Sequence, residues 1–383
     1  MPPPPGHADR RLRVVCFAPY PPDAPSVHHR ICAYRSHLDR NGIELTVWSF
    51  MSDRFYAIRR KFGAAFTLLK VFHFALATLR LLTRVMRVRR FDAVIIHREA
   101  FPLGPPLFER WIARRSRDVT FDLDDAMWHP PSNEVFQRRL LLDPDRIPKI
   151  MASCSRTTAG NDYIAAFARR HSREVIVMPT GYDDLQQDGP TRSAANPIPV
   201  VVWIGNVGNA CYVADLIPQF EAVAARAPFI LRLIGGDDIA EVRSDRLVVE
   251  RLHWRRDHEG EWLRTADVGI MPLFDKDFEQ GKCAFKIVQY FSAGLPVICS
   301  AIGMNTQVVD HGVNGMLAQS ADDWVRHLEE LLGQPELRRR MGESGRRTYV
   351  QRFRREIIGD QWVRILRAEG RPSKTGDRMP AAQ

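Results

Sequence analysis

The run Gly281-Lys282-Cys283-Ala284-Phe285-Lys286 has the residue types that suit a diphosphate. It stands just before an apolar stretch of helical period, so the free N–H groups and positive dipole end of that helix would face an anion. Lys282 and Lys286 add two full charges at the same place, a means of holding a diphosphate without calling on a metal. A second concentration of chemistry is Thr120-Phe121-Asp122-Leu123-Asp124-Asp125, with three carboxylates within four residues at the end of an apolar run. They are costly there unless solvated, paired or used. His97-Arg98-Glu99 ends another such run and suits acceptor binding or acid/base work, with a salt-bridged loop as the alternative. Ser26 and Arg30 follow the first run, where Arg30 would reach a phosphate or an acceptor, or else be a surface arginine.

These residues need a scaffold that brings strand ends together. Leu12–Ala18, a short β-branched run, leads through a Pro-rich loop into a helix expected over Val27–Asn41. The pattern returns at Glu44–Trp48, Ala93–His97, Val119–Leu123, Arg156–Ala159 and Val175–Pro179. It starts again at Val200–Ile204, Ile230–Ile234 (before Gly235-Gly236), Leu247–Glu250, Val268–Met271 and Pro296–Cys299. Strands alternating with helices predict an α/β chain with parallel sheets covered on both faces. Length alone favours two domains. The expected division is 1–184, a polar linker at 185–199, 200–350, and a C-terminal helix at 351–370 returning to the first domain.

The stretch Ala266–Ala318, and above all Lys286-Ile-Val-Gln289-Tyr290-Phe-Ser-Ala293-Gly294-Leu-Pro296-Val297, resembles the donor-binding half of GT-B glycosyltransferases, specifically the retaining family 4 (group 1) enzymes. The resemblance implies two Rossmann-like domains facing a central cleft. It implies a nucleotide diphosphate sugar as co-substrate with no other cofactor, and a carbohydrate or lipid-linked hydroxyl as acceptor, in envelope polysaccharide or glycolipid synthesis. On that pattern Gly205, Asn206, Gly281, Lys282, Phe285, Lys286 and Gln289 would bind the donor, Asp122, Asp124 and His97 would serve catalysis, and Ser26, Arg30, Arg98 and Glu99 would meet acceptor or phosphate. The chain departs from the family at four places. Gln289 replaces a ribose-binding glutamate, Gly281 stands where its partner glutamate belongs and leaves Glu279 as a nearby substitute, Gly205–Ala210 carries no Arg or Lys, and Asp122 occupies a histidine's place. Three alternatives stay open: a metal-binding D-x-D at Asp122 and Asp124 as in GT-A enzymes, a nucleotide-sugar epimerase, and a non-catalytic nucleotide-sugar-binding relative. No complete G-x-G-x-x-G supports a dinucleotide oxidoreductase.

Charge points to one further element. The excess of +10 resides between Arg54 and Arg90, where ten Lys/Arg stand without an Asp or Glu. A balanced remainder argues against nucleic acid as partner. From Lys70 to Arg87, at 100° per residue, Lys70, His73, Arg80, Arg84 and Arg87 share an arc about 100° wide, with Phe72, Phe74, Leu79, Leu82 and Met86 outside it. The two readings are a helix lying in an anionic membrane interface and an ordinary domain helix with a solvated arginine face. Six scattered cysteines and no apolar leader predict a cytoplasmic protein, at the inner face of the plasma membrane on the first of those readings.

Overall fold

The computed structural model describes residues 10–59, 61, 63–130, 143–185, 196–235 and 242–367. Residues 186–195 of the expected linker, Gly236 and the last part of the expected C-terminal helix lie outside the described residues.

Two six-stranded parallel sheets organise the chain. The first contains β1 (Leu12–Ala18), β2 (Ile43–Ser49), β3 (Ala93–His97), β4 (Val119–Leu123), β5 (Arg156–Ala159) and β6 (Val175–Val177), in the order β2-β1-β3-β4-β5-β6. The second contains β7 (Val200–Ile204), β8 (Ile230–Gly235), β9 (Val248–His253), β10 (Val268–Met271), β11 (Val297–Ser300) and β12 (Gly315–Ala318), in the order β12-β11-β10-β7-β8-β9. β1, β3, β4, β7 and β10 are buried along most or all of their length, which is why they read as continuous apolar runs rather than alternating ones. In each sheet the connection reverses direction once, between β1 and β3 and between β7 and β10. Open α/β sheets bind ligands outside the carboxyl ends of the strands at such switch points.

The single helix expected over Val27–Asn41 is three pieces: Pro25–Arg30, a short 3-10 turn at Cys32–Tyr34, and Arg35–Arg40. The break is at Ile31, whose backbone (φ −127°, ψ −62°) is not helical. β12 was not foreseen, because Gly-Met-Leu-Ala is too short to show a period. At the C-terminus the helix Pro335–Arg352 stops and Arg355–Arg367 begins, with Tyr182 N bonded to Phe353 O and Arg355 N to Tyr182 O at the joint. The second helix buries Ile358, Trp362, Ile365 and Leu366 among Val14, Tyr34 and Leu38 of the first domain. The chain therefore crosses between the lobes twice.

The long basic segment forms one helix, Ala64–Arg87, in which Arg80 and Arg87 are exposed while Lys70, His73 and Arg84 are partly covered. Ala77, Leu81 and Val85 are buried in the core. Arg84 donates to Ser49 O and Lys70 to Lys61 O, both at 2.6 Å. The outward face is apolar: Leu68, Val71, Phe72, Leu79 and Met86 are each more than half exposed.

Candidate active site

A cavity of about 450 Å³ lies between the two domains, over both switch points. Ser26, His29 and Arg30 reach it from the helix after β1, Arg98 from the end of β3, and Asp124 and Asp125 from the end of β4. The facing wall is Gly205–Val207 and Asn209 after β7, Gly235 at the end of β8, Trp254 just after β9, Glu259, and Lys282–Lys286 with Gln289. Its size suits an organic ligand of nucleotide-sugar dimensions.

The diphosphate-suited wall is built from the helix Phe285–Ser292, whose first N–H groups have no intrahelical acceptor and no side-chain cap. Its lead-in residue Ala284 has a left-handed backbone (φ 49°), and Arg98 across the cleft is likewise left-handed (φ 60°). Both are non-glycine residues held in a costly conformation at the cavity, where such strain is most often stored. Lys282 lies over the Phe278 and Tyr212 rings, and Lys286 over the Trp203 ring. Burial pushes the Lys286 ammonium down to about 7 and the charge of Lys282 adds to this, while Asp125 works against it. Above about pH 7 an anion binding here would draw a proton onto this amine.

Gln289 is buried and donates from Nε2 to Glu259 Oε1 at 2.8 Å. Glu259 also accepts from the Tyr182 hydroxyl and the Trp254 indole N–H. Gln289 is thereby held against a carboxylate from another helix, 30 residues earlier in the chain. Glu279 is fully buried against the Tyr212 hydroxyl and does not line the cavity.

Gly281 is closed to any side chain. A Cβ there would lie 2.9 Å from the backbone nitrogen of Ala126 and closer still to its Cβ. Around it the loop is clamped to the first domain, with Asn161 Nδ2 donating to the carbonyls of Gly281 (3.0 Å) and Lys282 (3.1 Å) and the Cys283 thiol to Asp124 O (3.0 Å). Gly281→Ala is expected to weaken donor affinity about tenfold by holding the lobes apart, an overpacking cost of about 1–3 kcal/mol. Titration calorimetry with the nucleoside diphosphate checks it, and Gly281→Glu should bind worse still rather than restore a glutamate pair.

Asp122 and His97 do not line the cavity, because both are fully buried in one hydrogen-bonded cluster. The Arg30 guanidinium grips Asp122 through Nε (3.0 Å) and a terminal nitrogen (2.8 Å), Thr158 donates at 2.6 Å, and His97 Nδ1 lies 2.8 Å from its other oxygen. Burial would raise the Asp122 carboxyl, but Arg30 and the His97 hydrogen bond outweigh it and hold the group well below the usual carboxylate range. Arg30 edges the cavity with most of its hydrogen-bonding capacity spent on Asp122 and Met178 O. Glu99 faces Arg146 rather than the cavity.

Asp124 and Asp125 do enter. Arg98 binds Asp124 in two-pronged fashion (2.6 and 2.8 Å) and Asp125 at 2.6 Å. Burial raises the Asp125 carboxyl despite Arg98, while Asp124 is held down by Arg98 against its own burial. Because Asp122 and Asp124 serve different arginines, they do not converge as a D-x-D pair. His29, packed 4.7 Å from the Phe285 ring, is pushed down to about 3 by burial and by His28, and stays neutral.

Of the residues expected from sequence, Ser26, Arg30, Arg98, Asp124, Gly205, Asn206, Lys282, Phe285, Lys286 and Gln289 line the cavity. His97, Glu99, Asp122 and Gly281 do not. Asp125, Glu259, Trp254 and His29 were missed as site residues. Asp125 carried a signal, as the third carboxylate of its run. Glu259 carried none, since an acid in a helix's first turn is ordinary.

Residues 198–334 match the protein family described as "Glycosyl transferases group 1". The chain is 25% identical over 187 residues to N-acetyl-alpha-D-glucosaminyl L-malate synthase of Bacillus anthracis, covering 46% of this chain and 47% of that protein. It is 31% identical over 85 residues to D-inositol 3-phosphate glycosyltransferase of Pseudarthrobacter chlorophenolicus, covering 22% and 19%. The aligned stretch spans about half the length of the first relative and less of the second. Among solved structures, sucrose-phosphate synthase of Thermosynechococcus elongatus superposes with a TM-score of 0.65 at 15% identity, over 94% of this chain and 99% of that one. Anabaena Alr3699/HepE in complex with UDP and glucose gives 0.64 at 14% identity, over 93% and 100%. The chain has the GT-B fold, and its second domain is similar to group 1 glycosyltransferases.

Proposed function

From a chain with the GT-B fold and a group 1 glycosyltransferase match over residues 198–334, we infer that the protein transfers a sugar from a nucleoside diphosphate donor to a hydroxyl acceptor. The observation that carries this reading is the polarity of the cleft. Lys282, Lys286 and a helix N-terminus stand on one wall, and Asp124, Asp125 and Arg98 stand on the other. A departing diphosphate gains charge where the cations and N–H groups already point, and the protein needs no reorganisation to meet it. For the configuration to be retained, the acceptor oxygen bonds the anomeric carbon on the face from which the diphosphate departs, the sugar–phosphate bond breaks and the hydroxyl proton passes to the departing phosphate oxygen, while Asp124, Asp125 and Arg98 hold the sugar from the opposite wall. Glu259 and Gln289 receive the ribose hydroxyls, with Trp254 beside the base.

The donor is proposed to be a uridine diphosphate sugar, which the solved Anabaena complexes with UDP and UDP-glucose support for this fold. Transfer proceeds with retention, as in the group it resembles, to a carbohydrate or lipid-linked acceptor of an envelope glycan. The six free cysteines suit a reducing compartment.

Thermal-shift measurements across UDP, GDP, ADP and CMP sugars test the donor class, because a ligand that binds only the folded state raises its stability by about 2.7 kcal/mol at a hundred times its Kd. Nuclear magnetic resonance of the product reads its anomeric configuration. A new sugar isomer formed from donor alone would establish an epimerase instead. Donor binding with no nucleotide released from any acceptor pool would establish a non-catalytic binder.

A further inference from the structure

We propose that the helix Ala64–Arg87 is a docking element for an anionic lipid bilayer, lying in the interface with its axis along the membrane plane. Leu68, Val71, Phe72, Leu79, Leu82 and Met86 are 73, 63, 62, 59, 38 and 55% exposed. At 100° per residue they share one arc about 100° wide along a helix about 36 Å long. A soluble surface rarely leaves so many large apolar side chains in one contiguous stripe without a partner to cover it.

Charge selects the occupant. Arg80 and Arg87 stand at one margin of the stripe, Arg89 and Arg90 follow at its end, and all four are exposed. Among the described residues none of the four pairs with a carboxylate, and residues 54–90 contain no acid at all. A second copy pairing through this face would set those arginines against one another. A lipid leaflet rich in anionic headgroups neutralises them while its acyl region takes up the apolar arc. The helix is long and apolar enough to cross a bilayer, but Ala77, Leu81 and Val85 on its other face are packed into the protein core. It therefore lies on the membrane and does not span it.

The placement has a consequence for the cleft. Phe74 packs against Phe50 and Phe101, which follow the carboxyl ends of β2 and β3, at 5.3 and 5.6 Å between ring centres. The helix thus reaches the same end of the sheet as the cavity. On the sugar-transfer reading, an acceptor anchored in the leaflet would be presented from that side. The docking itself does not depend on that reading.

Cosedimentation of the full chain with unilamellar vesicles tests the proposal, using phosphatidylcholine alone or mixed in equal parts with phosphatidylglycerol. The expected result is binding to the mixed vesicles, at least about tenfold weaker binding to phosphatidylcholine, and weakening with added salt. Arg80→Gln with Arg87→Gln should lower partitioning onto mixed vesicles about 25-fold, near fivefold per charge. Phe72→Ser with Leu79→Ser should lower it by at least about tenfold, with an unchanged thermal midpoint because both side chains project into solvent. Three results would overturn the proposal: wild-type protein left in the supernatant at millimolar lipid, serine variants that bind as wild type does, or a wild-type dimer in sedimentation velocity that the serine variants convert to monomer.

Discussion

Lys286→Ala is expected to lower kcat/KM for the nucleoside diphosphate donor by about 100- to 1,000-fold, the usual loss when one preorganised contact to developing charge is removed. The effect comes from burial. A surface lysine would be a weak, screened partner, but Lys286 is enclosed between Trp203 and the cavity and held near the pH at which it changes charge. Its ammonium form is destabilised in the empty site and restored by the diphosphate. Below about pH 7 the empty site is already protonated and binding is pH-independent. Above it, each donor bound must take up a proton, so affinity falls by up to about tenfold per pH unit until the lysine of the complex also titrates. Calorimetry in buffers of different ionisation enthalpy counts that proton. The alanine variant should bind weakly, with no proton uptake and a flat profile between pH 6.5 and 8.5 (values near neutrality, chosen to bracket a pKa of about 7).

Asp122→Asn carries the second large effect, on stability rather than chemistry. It leaves the Arg30 guanidinium buried without its counter-charge, which costs about 3–5 kcal/mol when a buried pair is broken from one side. Chemical denaturation monitored by tryptophan fluorescence should show the first transition moving to lower denaturant. Activity per folded molecule should change by no more than about threefold. A variant with normal stability and abolished turnover would instead place Asp122 against the sugar. The folded-state carboxyl is depressed, so its contribution is present above the unfolded value of 3.8 and is lost only as pH falls below it. Acid sensitivity from this cluster belongs to that range and not to neutral pH.

Both expectations turn on residues the sequence already marked, yet they divide by how much of each role was local. β1, β3, β4, β7 and β10 are legible to the residue because a buried parallel strand is a short uninterrupted apolar run, and nothing distant alters that pattern. Lys286 and Gln289 are legible because their spacing on one helix fixes the side they share, and Lys282 because it stands in the short loop that leads into that helix.

What the sequence determined by itself was therefore the alternation of strands and helices, the two-domain α/β plan, and the cationic helix start that suits a diphosphate. Tertiary structure decided what each charged group is for. Asp122 became part of the scaffold because Arg30, 92 residues away, folds against it. Gly281 became a point of contact between lobes because the Ala126 backbone lies on it. Glu259 entered the site only through its bond to Gln289. The Ala64–Arg87 helix shows the limit most clearly, since its period defined two faces but not which would turn inward. Small, closely packing Ala77 with Leu81 and Val85 fits the core, and that choice leaves Leu68, Val71, Phe72, Leu79, Leu82 and Met86 outside. Periodicity is a property of one segment, whereas burial and pairing depend on the neighbours that the rest of the chain supplies.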